Sequence, residues 1–277
     1  MTPTWRGRTE PAFAPLTATG WVRACGRLLV IAGIVLATAV AFLPARAAEN
    51  VLRRDRPWSL AIASRAFAAI LRAMGLHRIV HGRPEGSALV ANHSSWLDVA
   101  ALFAAEPLIF VSKAEVAGWP LIGPMTRLCG TLYIERRRSG ASEHREALER
   151  ALEGPHRVAF FPEGTSSDGR RVLPFRTTLF AAFTGAERAA GMAVQPVGIA
   201  YRPPAGRPDH FYAWWGDMPF GAHALQVLAA PPGGAVTVRY GEPIPARGDR
   251  KALARELEAS VRLLAFGLSP PSPPEGA

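Results

Sequence analysis

Ser87-Ala-Leu-Val-Ala-Asn-His-Ser-Ser-Trp-Leu-Asp98 passes from a short apolar run through a polar turn into residues that open a helix. A run this short, closed by turn formers, reads as a strand. The same pattern recurs along the chain. Strands are predicted at Ile79–His81, Ser87–Ala91, Leu108–Ser112, Thr131–Glu135, Val158–Phe161, Val194–Tyr201 and Val236–Tyr240. Helices are predicted at Trp96–Ala105, Gly118–Leu128, Gly140–Glu153, Thr178–Gly191 and Arg250–Phe266. This alternation implies one α/β domain with a mostly parallel sheet flanked by helices. Polar clusters directly after its strands are then where chemistry belongs.

Composition narrows the alternatives. Of 277 residues, 49% are hydrophobic and 19% charged, so the chain has a core and is not disordered throughout. Two cysteines, Cys25 and Cys129, exclude a disulfide scaffold. The net charge of +10, from 32 Lys plus Arg against 22 Asp plus Glu, suits nucleic acid, anionic substrates or an acidic membrane surface. The arginines form no aromatic-interleaved stripe and no nucleic-acid recognition motif, which argues against nucleic acid. A basic membrane-binding module without catalysis is the non-enzymatic alternative.

Leu28–Leu43 is a charge-free stretch of sixteen residues, with Arg23 and Arg27 before it and Arg46, Arg53, Arg54 and Arg56 after. As a helix it would rise about 24 Å, less than the roughly 30 Å hydrocarbon core. Three readings fit it: a cleaved signal, a single span, or a helix dipping into one leaflet and returning. The long basic lead, Pro44 and Arg46 disfavour cleavage. Pro57–Leu76 follows as an amphipathic helix carrying Trp58, Arg65 and Arg72, suited either to an interface or to packing on the domain behind it. The expected organisation is a flexible N-terminus at 1–20, membrane-anchoring and amphipathic helices at 21–76, the α/β domain at 77–266, and a disordered tail at 267–277. The front arginines are expected to hold the protein against an anionic bilayer.

Three polar clusters follow predicted strands: Asn92 to Asp98, Gly130 to Arg138 and Phe160 to Gly169. A histidine at a strand exit can take a proton from a hydroxyl if a carboxylate fixes its tautomer and stabilises the imidazolium. On one continuous helix, His93 and Asp98 would point about 140° apart. His93 is therefore expected in the turn, with Ser94 or Ser95 capping the helix and Asp98 reaching back from its first turn. No metal-ligand spacing occurs among the seven histidines.

The first and last of these clusters resemble the signatures of the lysophospholipid and glycerolphosphate acyltransferases, Asn-His-x4-Asp and Phe-Pro-Glu-Gly-Thr. They are matched here by Asn92–Asp98 and Phe161–Thr165. Gly130–Arg136 is similar to the family's acceptor motif, with Glu135 where Asp is usual. Gln195–Ile199 resembles its apolar-Pro motif, and Lys113 falls where a basic residue is common. The resemblance implies a glycerolphosphate-acyltransferase-like domain that transfers an acyl group from a thioester to a hydroxyl without an acyl-enzyme. His93 would be the general base and Asp98 its support. Asn92, Lys113, Arg136, Glu163, Gly164, Thr165 and Ser166 would bind substrate, with backbone N–H groups near Gly164 facing the oxyanion. No bound cofactor or metal is implied; acyl carrier protein or coenzyme A delivers the acyl chain. The expected setting is the cytoplasmic face of the inner membrane.

In enzymes acting on lysophosphatidic acid the last motif usually continues with an arginine that meets the phosphate; here Ser166-Ser167-Asp168-Gly169 follows. Arg136, Arg137, Lys113 or Arg176 could substitute for it. The Ser-Ser-Asp-Gly continuation, together with Trp214-Trp215-Gly216-Asp217-Met218, is similar to the branch that acylates lyso-ornithine lipid. Its acceptor has an ammonium and a carboxylate but no phosphate, and Asp168 or Asp217 could face that ammonium. The alternative is a 1-acyl-sn-glycerol-3-phosphate acyltransferase.

Overall fold

Along Ala88–Ala91 successive side chains go to opposite faces. Ala88 and Val90 join one hydrophobic cluster while Leu89 and Ala91 join another. Both faces of this strand are therefore covered, and an apolar run without polar alternation results. A computed structural model describes residues 4–118, 123, 126–127, 130–134, 141–183 and 192–267. Its strands are β1 (Leu76–His81), β2 (Ala88–Ala91), β3 (Ile109–Lys113), β4 (Leu132–Ile134), β5 (Val158–Phe160), β6 (Ala193–Arg202), β7 (Gly234–Tyr240) and β8 (Ile244–Pro245). Its helices are α1 (Ala18–Val51), α2 (Pro57–Ala73), α3 (Leu97–Phe103), α4 (Ala141–Glu153), α5 (Phe220–Ala229) and α6 (Arg250–Phe266).

The strands form one sheet in the order β1-β7-β6-β2-β5-β3-β4, with β8 on β6. Pairings from β6 through β4 are all parallel; β7 and β8 run antiparallel to β6. The fold is thus α/β with a mostly parallel sheet. One face is covered by α2, α3 and α5, and the other by α4 and α6. Parallel pairing of β2 with β5 brings their C-terminal ends side by side. Two motifs seventy residues apart in sequence therefore leave the sheet at the same edge.

Residues 4–17, expected as part of a flexible N-terminus, form no helix or strand but lie along the domain. The Trp5 ring sits 6.4 Å from that of Trp215, and Arg6 pairs with Asp217 at 2.6 Å. Thr17 then caps α1 by accepting the N–H of Gly20 at 3.1 Å. The 34 residues of α1 run well beyond the charge-free stretch and straight through Pro44. Its last turn supplies Glu49, which accepts the N–H groups of Trp58 and Ser59 and the Ser59 hydroxyl at 2.6–2.9 Å. Arg56, the residue ahead of α2, is in the left-handed region and makes no side-chain cap, so Glu49 caps that helix from outside.

The front arginines do not all face outward as expected. Arg23 donates to the carbonyl of Ala229 at 2.6 Å, and Arg27 to those of Leu228 and Ala230 at 2.8 and 2.9 Å. Both guanidinium groups therefore serve the carbonyl end of α5, where positive charge is favoured. Arg53, Arg54, Arg65 and Arg72 remain exposed. The middle of α1 is bare: Leu29, Leu36, Val40 and Leu43 are each more than 60% exposed. It is the one helix among the described residues that is long and apolar enough to cross a membrane.

Candidate active site

His93 leaves β2 in an extended turn, and Asp98, second residue of α3, reaches back toward it. Asp98 Oδ2 lies 2.8 Å from His93 Nδ1 and accepts the N–H groups of Ser94 at 2.7 Å and Ser95 at 2.9 Å. Trp96, not a serine, holds the cap position of α3 and makes no side-chain cap bond, while the Ser95 hydroxyl just ahead of it accepts the Leu97 N–H at 3.3 Å. A carboxylate can only accept, so neutral His93 carries its proton on Nδ1 and leaves Nε2 as an open base. Asp98 is fully buried, whereas the His93 side chain keeps 22% exposure. The imidazole lies flat on the Phe161 ring, with centroids 4.2 Å apart. That contact fixes the ring plane; the sequence marks Phe161 as the first residue of the second motif but does not show the stack.

Glu163 joins the two motifs. One oxygen accepts the backbone N–H of His93 at 2.7 Å and the other that of Leu173 at 2.8 Å. Burial pushes its carboxyl well above the ordinary range, against the pull of those two N–H groups. Ser167 adds a second tie, its N–H meeting the His93 carbonyl at 3.0 Å. Gly164 sits at φ +71°, and its N–H closes a turn onto the Phe161 carbonyl at 3.1 Å. The Thr165 hydroxyl accepts the Trp5 N–H at 3.3 Å, so the N-terminal segment crosses this loop.

Several expected binding residues do other work. The Asn92 amide is buried and exchanges two hydrogen bonds with the backbone of Ile199, at 2.9 and 2.8 Å. It locks the exit of β2 to β6, and neither end of the amide points to solvent. Ser166 is buried. Asp168 is fully buried and held in a fork by Arg171, both contacts 3.1 Å, with Arg8 3.6 Å away. Asp168 therefore does not present a free carboxylate to an ammonium. Asp217 is exposed and takes Arg6 instead. Lys113 ends β3, at the same sheet edge as His93. Arg176 donates its backbone N–H to Pro162 at 3.0 Å and keeps its side chain exposed. Cys129, Glu135, Arg136, Arg137 and Arg138 lie outside the described residues.

The Trp-Trp segment closes the site from the other side. Trp214 donates its N–H to the Ser94 carbonyl at 2.7 Å. Trp96 donates its indole N–H to His223 Nδ1 at 3.0 Å, and His223 Nε2 faces the Phe211 carbonyl at 3.3 Å. Burial lowers His223 to about 4, so this histidine stays neutral and serves the wall.

Residues 77–200 match the model of a family described as Acyltransferase. The chain is 40% identical to a lyso-ornithine lipid O-acyltransferase of Rhodobacter capsulatus, over 94% of this chain and 96% of that one. It is 41% identical to a lyso-ornithine lipid O-acyltransferase of Brucella abortus, over 73% and 78% of the two chains. In fold it is similar to the crystal structure of the 1-acyl-sn-glycerophosphate acyltransferase of Thermotoga maritima. There the TM-score is 0.61 with 19% identity, over 87% of this chain and 95% of the other. A histidine–carboxylate pair at the sheet edge, a second motif clasped to it, and near-full-length identity of this order lead to one conclusion: the chain is an enzyme that belongs to the acyltransferase family.

Proposed function

We propose that the chain transfers a fatty acyl group from the thioester of acyl carrier protein or coenzyme A to the 3-hydroxyl of lyso-ornithine lipid, forming ornithine lipid. The observation that carries the chemistry is the His93 Nδ1–Asp98 contact at 2.8 Å, which leaves Nε2 as the base. Nε2 takes the proton of the acceptor hydroxyl as its oxygen bonds to the thioester carbonyl carbon. The tetrahedral intermediate collapses, the C–S bond breaks, and the imidazolium returns the proton to the departing thiolate. Buried Asp98 steadies the imidazolium between these events, and base help of this kind is worth about 10²–10⁴-fold. The Gly164 N–H is used in its own turn. The N–H groups of Thr165 and Ser166, with no acceptor among the described residues, are therefore the loop's donors for the oxyanion.

The acceptor is read from the loop after Gly164. Arg171 is committed in a fork to Asp168 and so does not replace the phosphate-binding arginine usual at position 166, while Arg8 stands 3.6 Å from the same carboxylate. The relatives named for lyso-ornithine lipid, similar over most of both chains, support the same choice. The bare face of α1 supports a seat on a membrane; the cytoplasmic side of the inner membrane is the side we propose.

The test offers lyso-ornithine lipid and lysophosphatidic acid, separately, to the full-length enzyme with acyl carrier protein or coenzyme A thioesters. Diacyl ornithine lipid is expected, with a loss of about 10³-fold in His93→Ala. Faster acylation of lysophosphatidic acid would overturn the acceptor, and an active His93→Ala would overturn the base.

A further inference from the structure

Asp98 grips β6 as well as His93. Its Oδ1, the oxygen turned away from the imidazole, accepts the Tyr201 hydroxyl at 2.7 Å. Ile199 and Tyr201 are two residues apart on β6 and share a face. The motif turn therefore meets this strand twice, through Asn92 on the Ile199 backbone and Asp98 on the Tyr201 side chain.

We infer that Tyr201 is a positioning residue for acyl transfer, holding the Asp98 carboxylate in the plane that keeps Oδ2 against His93. The inference rests on His93 being the base. Rotation of a carboxylate about its last bond is soft and nearly two-fold, so one occupied oxygen does not fix its plane. Oδ2 takes three donors, from His93, Ser94 and Ser95. Oδ1 takes the phenol. Together they meet a buried carboxylate's need for about four hydrogen bonds. Burial and the adjacent Asp98 charge push the Tyr201 hydroxyl well above its ordinary range, which keeps it a donor throughout turnover. Its ring lies 5.6 Å from that of Tyr212 and needs no hydroxyl to stay there.

Tyr201→Phe removes the hydroxyl and keeps the ring. Per folded enzyme, kcat is expected to fall about tenfold, with KM for donor and acceptor within about twofold of the parent. An unchanged kcat, or a rise in acceptor KM at constant kcat, would overturn the inference, since Tyr201 would then only pack or bind substrate. Should the variant fold poorly, fluorotyrosines installed at position 201 keep the shape and grade the acidity of the hydroxyl. Then kcat is expected to change steadily with fluorine number, and a flat series overturns the inference. His93→Ala, measured alongside, separates the failures. If it stays active, the assignment of the base falls and this inference with it. If it is dead while the position 201 series is flat, only the inference falls.

Discussion

The carboxylate of Glu163 accepts the backbone N–H of His93 at 2.7 Å, one bond joining segments seventy residues apart in the chain. Its other oxygen holds Leu173, so both ends of the group are committed to main chain. Glu163→Gln keeps the shape but can accept only one of the two N–H groups, setting an NH2 against the other. We expect kcat to drop about tenfold or more and Tm to fall by several degrees, because the turn carrying His93 loosens. Parental kcat in this variant would show that the clasp is dispensable.

Asn92 offers a contrasting case. Its two bonds to Ile199 are buried and internal, so Asn92→Ala should cost about 2–3 kcal/mol of stability through lost bonds and stranded backbone groups. Denaturant unfolding checks this value. Acceptor KM, measured well below the melting point, should stay near that of the parent, as expected of a group that does not touch substrate.

His223 makes the fold sensitive to acid. Burial lowers it to about 4, while in the unfolded chain it titrates near 6.5. Between these values the unfolded state binds a proton that the folded state refuses, so stability falls as pH drops from about 6.5 to about 4 and levels off below. The contribution is on the order of 3 kcal/mol. His223→Gln can still accept from Trp96 and does not titrate, so its loss of Tm over that interval should be visibly shallower.

The bare face of α1 can be tested without disturbing the core. Leu36 and Val40 are both 68% exposed, so Leu36→Asp with Val40→Asp should leave Tm in detergent unchanged. Flotation with anionic vesicles should be lost, since each charge costs a membrane-inserted helix about 2.5–3.5 kcal/mol. Flotation equal to the parent's would remove α1 from the membrane contact.

The elements most legible in the sequence are those whose signals are local. Helix α6 spans Arg250–Phe266 as read, because Asp249 caps it, its apolar residues recur at helical spacing and Gly267 ends it. Strands β2 and β5 were readable as apolar runs ending in turn formers. Helix α5 was missed: Gly221 and flanking prolines make Phe220–Ala229 look like loop, and its stability comes from packing and from arginines two hundred residues earlier. Likewise the sixteen charge-free residues mark only the middle of α1, which spans Ala18–Val51, since alanines and arginines with good helix propensity extend it at both ends. In the site, His93, Asp98 and Glu163 stood out through motif spacing. The stacking role of Phe161 and the part played by Tyr201 did not, because a ring stack and a cross-strand hydroxyl leave no periodic trace.

Arg23 and Arg27 bind the carbonyl end of α5, whose His223 in turn holds Trp96 beside the catalytic turn. The apolar helix is thereby keyed to the enzyme body at its first turns and cannot swivel as a tether would. In the proposed membrane setting, the depth at which α1 sits is passed on to the height of His93 above the lipid surface. On the proposed mechanism, cutting that key by replacing Arg23 and Arg27 would detune the reach of His93 toward a hydroxyl at a fixed depth, whatever the length of the chain between helix and body.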